Sequence, residues 1–171
     1  MTYASLDQSA TTRQYLSFSL TGEQFALPVA QVREIIEFTG LTEIPLLPEF
    51  LRGVLNLRGA VVPVVDLAVR FGRGRTGIAR RTCVVIVELA DSEDMPPLGV
   101  LVDAVNEVLT VEPSEIEPAP ALVGGIRAEF VEGLIRAETR FVIALDLRQT
   151  LSLDDLAALA GLASAPRETQ P

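Results

Sequence analysis

Leu51-Arg52-Gly53-Val54-Leu55-Asn56-Leu57-Arg58-Gly59, continuing through Val62-Pro63-Val64-Val65 to Asp66-Leu67, decides the fold. Val54 to Leu57 and Ala60 to Val65 are apolar runs joined at Arg58-Gly59, which reads as a β-hairpin. Asp66 then stands where a carboxylate caps a short helical turn running to Phe71. The same pattern returns later. Gly133-Leu134-Ile135 precedes Asp146-Leu147 at identical spacing, within a second hairpin of Phe130–Ala137 and Arg140–Leu147.

Upstream of each hairpin lies a second shared block. Val29, Val32, Glu34, Ile35 and Ile36 match Val102, Val105, Glu107, Val108 and Leu109 at the same internal spacing. Two blocks recurring in the same order indicate a duplicated unit. The units span about 15–71 and 82–151, and each holds about five short strands, enough to close a small barrel. Closure also removes the exposed edges that valine-rich strands would present. The expected fold is therefore all-β, two five-stranded barrels packed together, with exchange of strands between them left open. The link Gly72–Arg81 is short and rich in arginine and glycine, so the barrels must sit against each other, with a groove where they meet. Leu98 to Val111 has helical spacing at Leu101, Val105 and Val108, but its many valines favour strand. Pro48 to Arg52 reads as one helical turn, and Ser152 with Asp155 starts a C-terminal helix to about Leu162. The domain plan is a loose tail at 1–13, a double-barrel domain at 14–153, and a helix and tail at 154–171.

Composition excludes much. The chain has 171 residues, 49% of them apolar, yet Val61–Val65, Cys83–Val87 and Phe141–Leu145 are each soon interrupted by a charge. None approaches the roughly 18–20 apolar residues of a spanning helix, and no secretory signal is visible, so a cytoplasmic protein without membrane insertion is expected. Histidine is absent, which removes the commonest general base, the phospho-accepting residue and the commonest zinc ligand. No phosphate-cradling glycine loop or metal-ligand cluster appears. The expectation is no catalytic residue, no metal and no cofactor. A net charge of −9 argues against nucleic-acid binding. Arg70, Arg73, Arg75, Arg80 and Arg81 form a local basic cluster that reads as a solvated turn. Cys83, the sole cysteine, sits in an apolar β-branched run and reads as a small buried hydrophobe.

The repeat is most informative where it fails. The first hairpin turns through Asn56-Leu57-Arg58-Gly59, the second through Arg136-Ala137-Glu138-Thr139. Scaffold residues should be common to both copies, whereas site residues need not be. Glu34 is the second odd residue, because it shares its strand face with Val32, Ile36 and Phe38. A carboxylate there needs a partner, and Arg58 offers the planar fork that suits it. Asp66 and Asp146, both at strand ends, are better explained as caps than as a catalytic carboxylate pair.

These residues resemble the CheW family of chemotaxis coupling proteins. The resemblance rests on the Leu51–Gly59 segment with Val62–Leu67, on Phe25–Val29 with Val32–Ile36, on Gly99–Val105, and on Gly133-Leu134 with Asp146-Leu147. It covers about Gln14 to Leu153. It implies two SH3-like barrels and a non-enzymatic adaptor that couples the cytoplasmic tips of methyl-accepting chemoreceptors to the histidine kinase CheA, binding the kinase's regulatory domain. Such a protein is cytoplasmic and is recruited to membrane-associated receptor arrays. The resemblance places coupling function at Arg58, in the turn that includes Asn56 and Gly59, and at Glu34 upstream. It puts the receptor side in the inter-barrel groove around Val32, Ile35 and Val54. The competing reading is a small-barrel peptide- or nucleic-acid-binding module, disfavoured by the acidic balance and by 5% aromatic content. A carboxylate hydrolase would need Asp66 or Glu34 in an open pocket with a raised pKa.

Overall fold

A computed structural model describes residues 12–89, 96–151, 155, 158, 159 and 161. The strands are short and mostly follow the apolar runs. β1 (Arg13–Leu20) and β2 (Glu23–Pro28) form the first hairpin, and β3 (Val32–Glu37) follows a single 3₁₀ turn. β4 (Leu51–Leu57) and β5 (Ala60–Asp66) form the second hairpin and lead into the one-turn helix α1 (Leu67–Arg70). Next come β6 (Cys83–Val87), β7 (Leu98–Val102), β8 (Ala104–Val111) and the two-residue strands β9 (Ile116–Glu117), β10 (Leu122–Val123) and β11 (Ile126–Arg127). β12 (Val131–Ala137), β13 (Arg140–Leu145) and α2 (Leu147–Thr150) complete the set. Asp155, Ala158, Leu159 and Gly161 are helical, while Ser152, the expected cap, lies outside the described residues. So do residues 1–11 of the expected tail, 91–95 of the acidic loop and 162–171. Among the described residues no helix is long and apolar enough to cross a membrane.

The strands form two main sheets, ordered β3-β6-β7-β5-β4 and β8-β1-β2-β13-β12-β9. Apart from β9, which the second sheet adds at its far edge, these correspond strand for strand. β3 and β8 begin them, the β4-β5 and β12-β13 hairpins occupy matching places, and the parallel contacts β5·β7 and β13·β2 are equivalent. Pairing thus does not follow the sequential boundaries 15–71 and 82–151. The first barrel uses β3 to β7, and the second, starting at β8, is completed by the β1-β2 hairpin from the beginning of the chain. The expected single strand Leu98–Val111 is two strands in two sheets. The crossing point is Asp103, whose N–H donates to Ser19 O at 2.9 Å and whose carboxylate accepts from Thr21 N at 2.9 Å. Pro48 to Arg52 is not a helix. Leu51 N closes one turn onto Pro48 O at 3.0 Å and then enters β4.

Three apolar clusters explain why the chain has continuous apolar runs. Val62, Val64, Val84, Ile86 and Leu101 fill the first barrel, and Tyr15, Ala26, Val111, Ile135, Val142 and Ala144 fill the second. The remaining positions of the same strands meet between the barrels in the largest cluster, which includes Phe18, Phe25, Val65, Val85, Val87, Val100, Ile143 and Leu145. A strand buried on both faces has no polar face to display, so Cys83–Val87 is apolar throughout. Cys83 is buried there, and desolvation pushes its thiol pKa up, in keeping with an inert packing residue.

The repeated glycines share a reason. A Cβ on Gly53 would lie 2.5 Å from Thr42 O, and one on Gly133 would lie 2.5 Å from Ile116 Cγ2 and 2.9 Å from Glu117 O. Each glycine admits the strand that closes its barrel's edge, Thr42 bridging to Val54 and β9 pairing with β12.

Candidate functional site

β3 and β4 lie at opposite edges of the first sheet, so only a strong curl brings them together. Arg58 and Glu34 join across that seam. Arg58 Nη1 and Nη2 donate to the two carboxylate oxygens of Glu34, both at 2.8 Å. The fork-to-fork geometry holds Glu34 below the usual carboxylate range, chiefly through the Arg58 hydrogen bonds, and raises the Arg58 guanidinium for the same reason. The Arg58 side chain is 69% exposed, so the pair stands at the surface.

The turn presents Arg58 for backbone reasons. Arg58 and Gly59 both take left-handed conformations, with φ of 53° and 89°, as a two-residue turn twisted to suit its strands requires. Asn56 Oδ1 accepts from Gly59 N at 2.9 Å and pins the turn from below. Arg58 therefore projects from a tight turn pinned by a side-chain hydrogen bond.

Register places the other expected residues. A bulge between Val32 and Glu34 changes the face assignment along β3. Val32 stands opposite Val87 and Ile35 opposite Val85, both of which face the inter-barrel core. Glu34 and Ile36 stand opposite Ile86 and Val84, which face the interior of the first barrel. The reading that Glu34 shares a face with Val32 is thereby corrected, since the extra residue at Arg33 flips Val32 away. Val32 packs against the core margin and Ile35 is exposed on the same face. Val54 and Asn56 stand opposite Pro63 and Val61, on the side of β4 away from Leu55, which packs inside the barrel.

Asp66 and Asp146 both cap helices, accepting from Ala68 N at 3.1 Å and Gln149 N at 3.2 Å. Asp66 does more. It is fully buried, pairs with Arg52 at 2.8 Å, and accepts from Thr76 N at 2.8 Å and Thr76 Oγ1 at 2.7 Å. Arg52 also donates to Thr76 O at 2.9 Å, so this network holds the inter-barrel link. The only hint in the sequence was Arg52, which is Glu132 in the second copy. Asp66 is thus neither open to solvent nor free to act, and the Glu34 carboxyl is lowered and not raised. The conditions for a carboxylate hydrolase are unmet.

The arginine cluster is not simply a solvated turn. Arg70 Nε donates to Thr150 O at 2.8 Å, its guanidinium pairs with Asp155 at 3.0 Å, and it lies over the Phe50 ring. Arg73 pairs with Glu23 at 2.5 Å and donates to Thr21 Oγ1 at 2.8 Å and to Gly124 O. Both tie the first barrel's helical turn to the second barrel, which spacing alone could not reveal. Among the described residues, no three His, Cys, Asp or Glu side chains gather as metal ligands.

The family model described as the CheW-like domain matches residues 14–155. The chemotaxis protein CheW of Klebsiella aerogenes is 29% identical over 164 residues, covering 96% of this chain and 96% of its own length. The probable chemotaxis protein CheW of Rhizobium etli is 30% identical over 152 residues, 89% of this chain and 96% of its own. The crystal structure of the scaffolding protein TtCheW from Thermoanaerobacter tengcongensis matches with a TM-score of 0.73 at 34% identity, over 84% of this chain and 90% of that one.

Proposed function

This chain belongs to the CheW-like family, and on that basis we propose that it is a non-enzymatic chemotaxis adaptor coupling chemoreceptor tips to the histidine kinase CheA. The carrying observation is the exposed Arg58–Glu34 pair on a tight turn, where the two copies of the repeat diverge. A scaffold needs geometry that is preformed on binding, so that little ordering is lost when a partner docks. A two-point guanidinium–carboxylate pair on a tight turn meets that need. The face carrying Val32 and Ile35, with the outer side of Val54 and Asn56 and the turn at Gly59, supplies apolar surface beside this pair. The protein acts in the cytoplasm at membrane-associated receptor arrays, with the kinase's regulatory domain and the receptor tips as partners.

The test is a double-mutant cycle on complex formation with the CheA regulatory domain and with a receptor tip, run beside thermal unfolding. Arg58→Ala should weaken assembly at least tenfold while the unfolding temperature barely moves. Glu34→Ala should do the same in part, and the double mutant should be less than additive. Normal binding by Arg58→Ala would remove the site, and additive defects would remove its pairing with Glu34.

A further inference from the structure

The seam that Arg58 and Glu34 close in the first barrel exists in the second barrel too, and at its hairpin end no ion pair bridges it. Position by position, Glu107 corresponds to Glu34 and Glu138 to Arg58. The backbone is preset alike, with φ of 56° at Glu138 and 53° at Arg58. Two carboxylates replace the ion pair, so nothing at these positions clasps the second barrel's edge strand to its hairpin.

The interior behind the seam differs in the same direction. Ser17 stands opposite Glu107 as Ile86 stands opposite Glu34, so a hydroxymethyl replaces a butyl group. By the same correspondence Ala137 replaces Leu57 and Val111 replaces Phe38. In the first barrel the matching cleft, between Ile36, Phe38, Leu55 and Val84, is only about 70 Å³. In the second it is a cavity of about 260 Å³ floored by Leu109, Val111, Ile135, Ala137 and Val142. That is room for one bulky side chain, below the size of a drug-like ligand site.

Charge selects the occupant. Glu107, Glu115 and Glu138 line the mouth with Arg136 and Arg140. Arg136 is already engaged by Glu117 and by the face of Phe141, which leaves Arg140 against three carboxylates. The remaining rim is acidic over an apolar floor.

We infer that the unbridged end of the second barrel's seam is a docking groove for a segment of a protein partner carrying a basic side chain beside a bulky apolar one. The basic group pairs with Glu107 and Glu138, supplying from outside the clasp that Arg58 supplies from within the first barrel. The apolar neighbour fills the cavity. The groove is separate from the Arg58 turn and does not depend on the receptor–kinase assignment.

The experiment selects random displayed heptapeptides on the full chain, then maps one enriched peptide by NMR titration. Enriched sequences should pair Arg or Lys with Leu, Ile, Met or Phe, and shifts should centre on Leu109, Val111, Ile135 and Ala137. Glu138→Arg rebuilds the first barrel's clasp on a backbone already shaped for it. It should reduce peptide affinity at least tenfold without lowering the unfolding temperature. Ala137→Leu, which fills the cavity, should do the same without altering charge. No enrichment, enrichment of acidic peptides, or binding unchanged in both variants would overturn the proposal. So would concentration-dependent self-association in sedimentation that Glu138→Arg abolishes, since the occupant would then be a second copy of this chain.

Discussion

Asp66 and Asp146 end the same strand of the same repeat and cap the same helical turn, yet only Asp66 is sealed in a network with Arg52 and Thr76. The turns above them show the same split. Arg58 and Glu138 share a left-handed backbone and carry opposite charges. Duplication has kept what the backbone requires, namely caps, turn conformations and close-approach glycines. It has released the side chains that face the link, the seam and solvent. Function is therefore to be sought where the copies differ.

The largest effect should come from cutting the chain between its sequence repeats. A fragment of Thr82–Leu151 would contain β6 and β7 without their first-barrel partners, and a second barrel without β1 and β2. It should remain unfolded, whereas the full chain should unfold in one transition by circular dichroism and fluorescence alike, because the largest core is shared. A dispersed NMR spectrum from the fragment would show that strand exchange is dispensable.

The two aspartates give the next contrast. Asp66→Ala leaves Arg52, nearly buried, without its counter-ion and should cost about 3–5 kcal/mol. Asp146→Ala removes a cap and should cost about 1 kcal/mol. Equal costs in urea titrations would mean that the buried network adds nothing to capping. The glycines should behave alike instead. Gly53→Ala and Gly133→Ala each drive a methyl group into a neighbouring strand and should destabilise by roughly 2–3 kcal/mol. Gly53→Ala should be the worse of the two, because its φ of 149° also disfavours a side chain.

The smallest effect on folding concerns the surface pair. Glu34 has its folded-state pKa lowered by Arg58, so whatever the pair contributes is present above the ordinary carboxylate range and is lost as pH falls through the lowered value. Arg58 stays protonated throughout. Partner binding should therefore weaken on acidification below that range, and Glu34→Gln should flatten the profile. A pH dependence unchanged by Glu34→Gln would assign the titration elsewhere.

Much of this was legible in the residues. Hairpins, caps and the duplicated unit follow from local rules, in which a turn needs φ > 0, a helix start needs an acceptor, and a strand shows its faces two residues apart. The pairing of Glu34 with Arg58 could also be anticipated, because a carboxylate among apolar neighbours demands a cation and only one candidate lay on the diverging turn. Three things depended on tertiary structure. Strand exchange between barrels was hidden, because a strand buried on both faces reads the same whichever sheet receives it. The β3 bulge was hidden, because one inserted residue resets every face that follows without altering composition. The roles of Asp66, Arg70 and Arg73 were hidden, because their partners lie far along the chain, and only packing decides which buried or linking charge meets which.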